Sequence, residues 1–162
     1  MVELDVNGVC FSHGSTEILR GITFSVGNGE VVGILGENGS GKTTLLRCIN
    51  DEYRPSQGCV IVSGFSHECL GDVIDKEDSV DVRRFSVSDR AKILATVEQS
   101  SHQSFPFTVM ETVRMGRYSR TGIFDEDSDD ELDLICSVME DVGILEFADR
   151  SVNELSGGEW RR

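Results

Sequence analysis

Two hydrophobic rhythms run along this chain of 162 residues, and they change over at glycine-rich turns. Val2, Leu4 and Val6 alternate with polar positions, as do Ile22, Phe24 and Val26, the two-residue period of strands with one face buried. A turn at Gly27-Asn28-Gly29 follows. Val31-Val32-Gly33-Ile34-Leu35 is then a continuous apolar run, which predicts a strand covered on both faces of a sheet. It leads straight into glycine-rich sequence and a helix over residues 43–50, on which Leu45, Leu46 and Ile49 are expected to share one face. Beyond the turn Arg54-Pro55-Ser56-Gln57-Gly58, residues 59–62 predict another strand.

The second half is more polar. Residues 67–84 read as a solvated acidic loop or insertion. A short helix is expected over residues 88–94, followed by a strand at Ala95-Thr96-Val97 that ends at Glu98-Gln99. Thr108 is placed to cap a helix running to about Met115, with Glu111 three residues on as the other half of a capping box. The acids of residues 125–133 suggest either a cation site or a helix start. Ser128 with Glu131 forms a second capping box, and Leu132, Ile135, Val138 and Met139 follow at helical spacing, so a helix start stabilised by the macrodipole is the better reading. No internal repeat is present.

Composition narrows the partners. With 38% hydrophobic residues the chain can build the core of one domain. Its 29 acidic against 15 basic residues give a net charge of -14, a field that repels phosphate backbones, so nucleic acid is not an expected partner. The five cysteines show no metal-ligand spacing and read as free thiols. Nothing at the N-terminus resembles a signal peptide, and no apolar run approaches the roughly 20 residues that span a bilayer. Work at a membrane would therefore need a separate subunit.

The strongest chemical signal is Gly36-Glu37-Asn38-Gly39-Ser40-Gly41-Lys42-Thr43, a full match to G-x-x-x-x-G-K-[ST] between a predicted strand and a predicted helix. The glycines let successive backbone N–H groups face one point, and the helix behind them adds its positive end, so the loop suits phosphate oxygens. In such a loop Lys42 reaches the β- and γ-phosphates of ATP and the Thr43 hydroxyl ligates Mg2+, with Thr44 counted beside them in the nucleotide-binding set.

A P-loop does not choose among kinases, GTPases, helicases and transport ATPases. Leu155-Ser156-Gly157-Gly158-Glu159, at this distance after a P-loop, resembles the signature motif of ABC-transporter ATPases. The resemblance covers the whole chain and implies an α/β fold: a P-loop NTPase core of the ABC type, with an N-terminal antiparallel β subdomain and a helical subdomain. Residues 1–162 would be the N-terminal portion of one such domain, incomplete at the C-terminus. Phe11 resembles the aromatic that stacks on adenine, and reads equally as an apolar strand residue. Gln99 resembles the Q-loop glutamine that touches Mg2+ and the attacking water and couples the site to the membrane subunit; the alternative is an exposed loop residue. Ser156, Gly157, Gly158 and Glu159 would hold the nucleotide bound to the opposite copy, so that two chains sandwich two ATP molecules.

Partners implied by the resemblance are thus ATP, a second ATPase subunit in a homodimer, and a membrane permease, with the ATPase peripheral on the cytoplasmic face of the cell membrane. Phe105-Pro106-Phe107-Thr108-Val109 and Met115-Gly116-Arg117-Tyr118 look like the subgroup importing ferric siderophores, haem or cobalamin. The family places a strand ending in Asp-Glu, and later a switch histidine, after the signature. These 162 residues hold neither, and His13, His67 and His102 precede the motif, so no catalytic residue is expected within the chain and little hydrolysis from it alone. Arg161 stands where the family commonly has glutamine. Alternative readings are a chain that binds nucleotide without hydrolysing it, and a soluble ABC ATPase serving repair, translation or cofactor assembly.

Overall fold

A computed structural model describes residues 3–65, 79–97, 105–117 and 129–160. The chain forms two compact units, residues 1–96 and 97–162.

In the first unit, β1 (Glu3–His13) and β2 (Thr16–Val26) form a hairpin whose register closes at His13 opposite Thr16. The two-residue connection needs a left-handed backbone, supplied by Gly14 at φ 60. β3 (Gln57–Ser63) pairs antiparallel with the other edge of β1, Val6 opposite Val60 and Leu4 opposite Val62. β4 (Ser79–Asp81) pairs with β3, giving the order β2-β1-β3-β4. The inward positions of these strands, Val6, Val9, Leu19, Val60, Val62 and Val80, are buried, and α1 (Lys42–Ile49) covers them with Leu45 and Cys48.

Burial removes the Cys48 thiol from water and pushes its pKa up. Cys10, Cys48, Cys59 and Cys136 are free thiols, as expected. Just past α1, Asp51 sits at φ 53 and its carboxylate accepts a hydrogen bond from Arg90 at 3.0 Å, on α2 (Val87–Ala91).

Four expectations are corrected here. Residues 31–35 form no strand: Val31 and Leu35 are 94% and 95% exposed. A strand is made by its ladder, and among the described residues no strand is hydrogen-bonded beside this run. The same holds for residues 95–97, where Val97 is 96% exposed. Residues 79–84, taken as part of a solvated loop, instead supply β4 and the 3-10 turn Val82–Arg84, because Val80 and Val82 alternate with polar neighbours and reach the core beside β3. On α1 it is Cys48, not Leu46, that joins Leu45 inside; Leu46 lies about 100° round the helix and is 49% exposed.

In the second unit, α3 (Val109–Met115) begins at the expected capping box, with Thr108 Oγ1 accepting from Glu111 N at 3.1 Å and Glu111 Oε2 accepting from Thr108 N at 2.8 Å. α4 (Asp129–Asp141) confirms the acidic helix start; Ser128, its expected cap, lies outside the described residues, and Glu131 Oε1 pairs with Arg117 at 2.9 Å. Ile135 and Met139 are buried on α4, while Leu132 and Val138 stay largely exposed, a correction to the predicted four-residue face. Ile135 and Met139 are four residues apart and so lie on one line of α4, facing Val109 and Val152, whereas Leu132 and Val138 flank that line.

The chain on either side of α3's start is laced to residues 147–152. Val109 N donates to Arg150 O at 3.0 Å, Met110 N to Ala148 O at 3.0 Å, and Val152 N to Phe107 O at 2.9 Å, around the bridge between Thr108 and Ser151. This seam fixes the point from which the chain enters the 3-10 turn Val152–Glu154 and then Leu155-Ser156-Gly157-Gly158. Among the described residues no helix is long and apolar enough to cross a membrane.

Candidate functional site

The glycine-rich loop lies between the open run of residues 31–35 and α1, and two of its glycines set its curvature. Gly39 has φ 84, and Gly41, the residue before α1, has φ 93 and ψ 4. Both lie in the left-handed region that a side chain disfavours. Gly41 is also close against β2: a Cβ there would lie 3.1 Å from both Ile18 Cγ2 and Leu19 Cδ2. The hairpin thus forms the floor on which the loop turns into the helix. Helical bonding starts at once, with Leu45 N donating to Gly41 O at 2.8 Å.

Lys42 folds back into the loop. Its Nζ donates to Gly36 O at 2.8 Å and to Glu37 O at 2.6 Å, with Ser40 Oγ farther off at 3.4 Å. An ammonium has three donors. All three meet loop oxygens, two of them closely, so the charge stays at the loop's centre, and the long contact to Ser40 Oγ is the one an anion would displace. The loop itself, residues 36–40, is exposed, as is Thr43, whose hydroxyl makes no hydrogen bond among the described residues. Thr44 is half-buried beside it.

Phe11 is on β1, opposite Leu19, and therefore one side chain away from Gly41. One face of its ring is covered by Tyr53, with centroids 5.1 Å apart and planes 6° from parallel. Arg47 of α1 in turn donates to Tyr53 Oη at 2.8 Å and stacks over that ring. Sequence reading did not single out Tyr53 or Arg47; the only signal was an aromatic a few residues after the helix. Gln99 lies outside the described residues.

In the second unit, Ser156 and Glu159 bond to each other twice. Ser156 N donates to Glu159 Oε2 at 2.7 Å, and Glu159 N donates to Ser156 Oγ at 3.3 Å, while Trp160 N closes the turn on Ser156 O at 2.9 Å. This is a capping box, S-x-x-E, inside the motif. The Ser156 bonds, and then the nearby Arg150 guanidinium, hold the Glu159 carboxyl below its ordinary pKa. Gly157 and Gly158 are exposed at the crest of the turn.

The sequence profile of the ABC transporter family matches residues 19–162, from β2 through the glycine-rich loop to the Ser156 turn. The chain belongs to that family. Among its relatives, the cobalamin import ATP-binding protein of Halobacterium salinarum is 36% identical over 159 residues, 98% of this chain and 36% of that protein. The hemin import ATP-binding protein of Roseobacter denitrificans is 36% identical over 161 residues, 99% of this chain and 53% of that protein. The ABC-family chain thus spans about half or less of the length of these relatives. Among solved structures, an ATP-binding cassette of an ABC transporter in its ADP conformation superposes with a TM-score of 0.73 at 21% identity, over 99% of this chain and 61% of that one, which supports the ABC ATPase fold.

The antiparallel β unit and the helical unit agree with the fold expected of the family. For a divalent cation, the chemistry of the loop fits Mg2+: the exposed Thr43 hydroxyl, without a hydrogen bond among the described residues, supplies one hard oxygen, and a hydrated ion carried on a nucleotide needs few more from protein. Among the described residues no group of three His, Cys, Asp or Glu gathers as an all-protein metal cage.

Proposed function

We propose that this chain is the nucleotide-binding portion of an importer's ATPase and binds MgATP at residues 36–44. The observation that carries this reading is the Lys42 ammonium, held at 2.8 and 2.6 Å by the carbonyls of Gly36 and Glu37 in the middle of a loop curled by Gly39 and Gly41. The donor that meets Ser40 Oγ at 3.4 Å would turn, with the loop N–H groups, to the β- and γ-phosphates, and Glu37, Asn38 and Ser40 line the rim. Thr43, joined by Gln99, would hold Mg2+, which neutralises charge on the phosphates when bound. Phe11 would stack on adenine through the ring face not covered by Tyr53.

In the assembled protein, Ser156, Gly157 and Gly158 present their turn to the nucleotide of a second ATPase subunit, with Glu159 shaping that turn. ATP would then join two copies head to tail, and closing and reopening of the pair would drive a permease between its access states from the cytoplasmic face of the membrane. A cargo of the iron-siderophore, haem or cobalamin class is supported by the names of the cobalamin and hemin import relatives.

Thermal unfolding with and without MgATP tests the site. Lys42→Ala is expected to abolish ATP-dependent protection while leaving the circular dichroism spectrum unchanged. Protection equal to that of the parent chain in this variant overturns the assignment.

A further inference from the structure

We propose that Arg150 is a positioning residue for the Ser156 turn, clamping Glu159 so that the backbone of Ser156, Gly157 and Gly158 is held in one conformation. The proposal rests on reading that turn as the surface offered to nucleotide. Nothing else on the turn's crest constrains it: a methyl placed on Gly157 or Gly158 would meet no atom within 4 Å, and both residues have the full conformational freedom of glycine. The shape must therefore be imposed from the turn's two ends.

Glu159 reaches back to do this, and its two oxygens have different partners. Oε2 accepts from Ser156 N at 2.7 Å, and Oε1 lies 3.3 Å from Arg150 Nη1. A capping glutamate with one free oxygen exchanges among rotamers; one pinned at both oxygens does not. Arg150 is itself fixed from three sides. Its Nη2 donates to Glu154 O at 2.9 Å, its guanidinium lies 5.2 Å from the centroid of the Phe147 ring, and its own carbonyl accepts from Val109 N at the start of α3. The guanidinium thus ties the carbonyl two residues before Ser156 to the carboxylate three residues after it. A fork of fixed planar donors suits this double contact, and an ammonium does not reproduce it.

The test follows backbone amides of the 162-residue chain by nuclear magnetic resonance, without nucleotide. Arg150→Ala is expected to speed hydrogen exchange at Ser156 and Glu159, the two amides bonded within the box, by about two- to fivefold, the range for one partly exposed ion pair. It should also shift the Ser156 amide proton upfield, while the amides of α4 keep their protection. Arg150→Lys should restore the Ser156 shift in part. Glu159→Gln keeps the cap and loses the ion pair, so it should resemble Arg150→Ala, and the double variant should be no worse than either single change.

Unchanged exchange at Ser156 and Glu159 in Arg150→Ala overturns the proposal. So does equal loss of protection across α4, which would make Arg150 a general structural contact. Because no nucleotide enters this experiment, failure of the ATP reading registers separately, as ATP protection that survives Lys42→Ala while the amide pattern holds.

Discussion

Replacing the loop glycines one at a time with alanine should grade nucleotide affinity in an order set by local geometry. At Gly41 the added Cβ would occupy φ 93, a left-handed conformation that costs a non-glycine residue about 1–2 kcal/mol. It would also lie 3.1 Å from Ile18 Cγ2 and Leu19 Cδ2, and Leu19 is only 3% exposed, so its side chain has little room to yield. Mild overpacking of this kind adds about 1 kcal/mol. The loop relieves the sum, roughly 2–3 kcal/mol, by leaving the receiving conformation, so the competent fraction falls to between about 3% and about 0.6% and the apparent Kd for MgATP rises about 30- to 160-fold.

Gly39 has φ 84 but open space around a Cβ, so strain acts alone and about 5- to 30-fold is expected. At Gly36 a Cβ would lie 2.7 Å from Ser40 Oγ, a hydroxyl on an exposed side chain that can rotate away, and the effect should stay within about threefold. Titration of a fluorescent ATP analogue, with a thermal melt of each variant as a folding control, reads all three. A Gly41→Ala chain binding within threefold of the parent, or Gly36→Ala as damaging as Gly41→Ala, would refute the reasoning.

Three further outcomes follow from other parts of the molecule. The Arg90 and Asp51 side chains are 14% and 10% exposed, Arg90 bonds Asp51 Oδ2, and Asp51 Oδ1 accepts no hydrogen bond among the described residues, so Arg90→Ala leaves a nearly buried carboxylate without a hydrogen-bond donor. Urea unfolding of the first unit should show a loss of about 3–5 kcal/mol, with Arg90→Lys in between. The Glu159 carboxyl has a folded pKa below its unfolded one, so its contribution is present above the unfolded value and is lost as pH falls through the folded value. The protection factor of the Ser156 amide, the exchange rate of an unstructured chain at the same pH divided by its own, should therefore fall at the acid end of the glutamate range in the parent chain, and Glu159→Gln should remove that dependence. Finally, Val31, Leu35 and Val97, each more than nine-tenths exposed, should make the 162-residue chain bind a hydrophobic dye, and Val31→Ser with Leu35→Ser should reduce that signal; equal dye binding by the double variant would argue against the placement.

Where sequence reading succeeded, the determining interactions were short in range. Thr108 and Glu111 are three residues apart and cap one helix; Lys42 reaches carbonyls only five and six residues back; β1, β2 and β3 announce themselves by alternation because one face of their sheet is covered. Residues 31–35 failed for the opposite reason. Their composition predicts burial on two faces, but burial and a ladder must come from elsewhere, and a run of Val, Ile and Leu holds no information on whether its neighbours are in place. Leu46 was misplaced because a bulky apolar residue was preferred to a smaller one, whereas the turn of α1 puts Cys48 over the sheet.

The Ser156 turn shows a third situation, in which the signal was present and was assigned to something else. Ser156 and Glu159 have the same S/T-x-x-E spacing that identified the cap at Thr108, yet the string Leu155-Ser156-Gly157-Gly158-Glu159 was read for the ligand it resembles binding and not for how it holds its own shape. Both functions fit the same residues, because a turn of two unconstrained glycines can offer N–H groups to a phosphate only if something else sets their direction. The residue that completes this arrangement, Arg150, follows no helical or strand spacing relative to Glu159. It arrives through the seam between residues 107–110 and 148–152, a contact between segments some forty residues apart, and such a contact is visible only once the chain is folded.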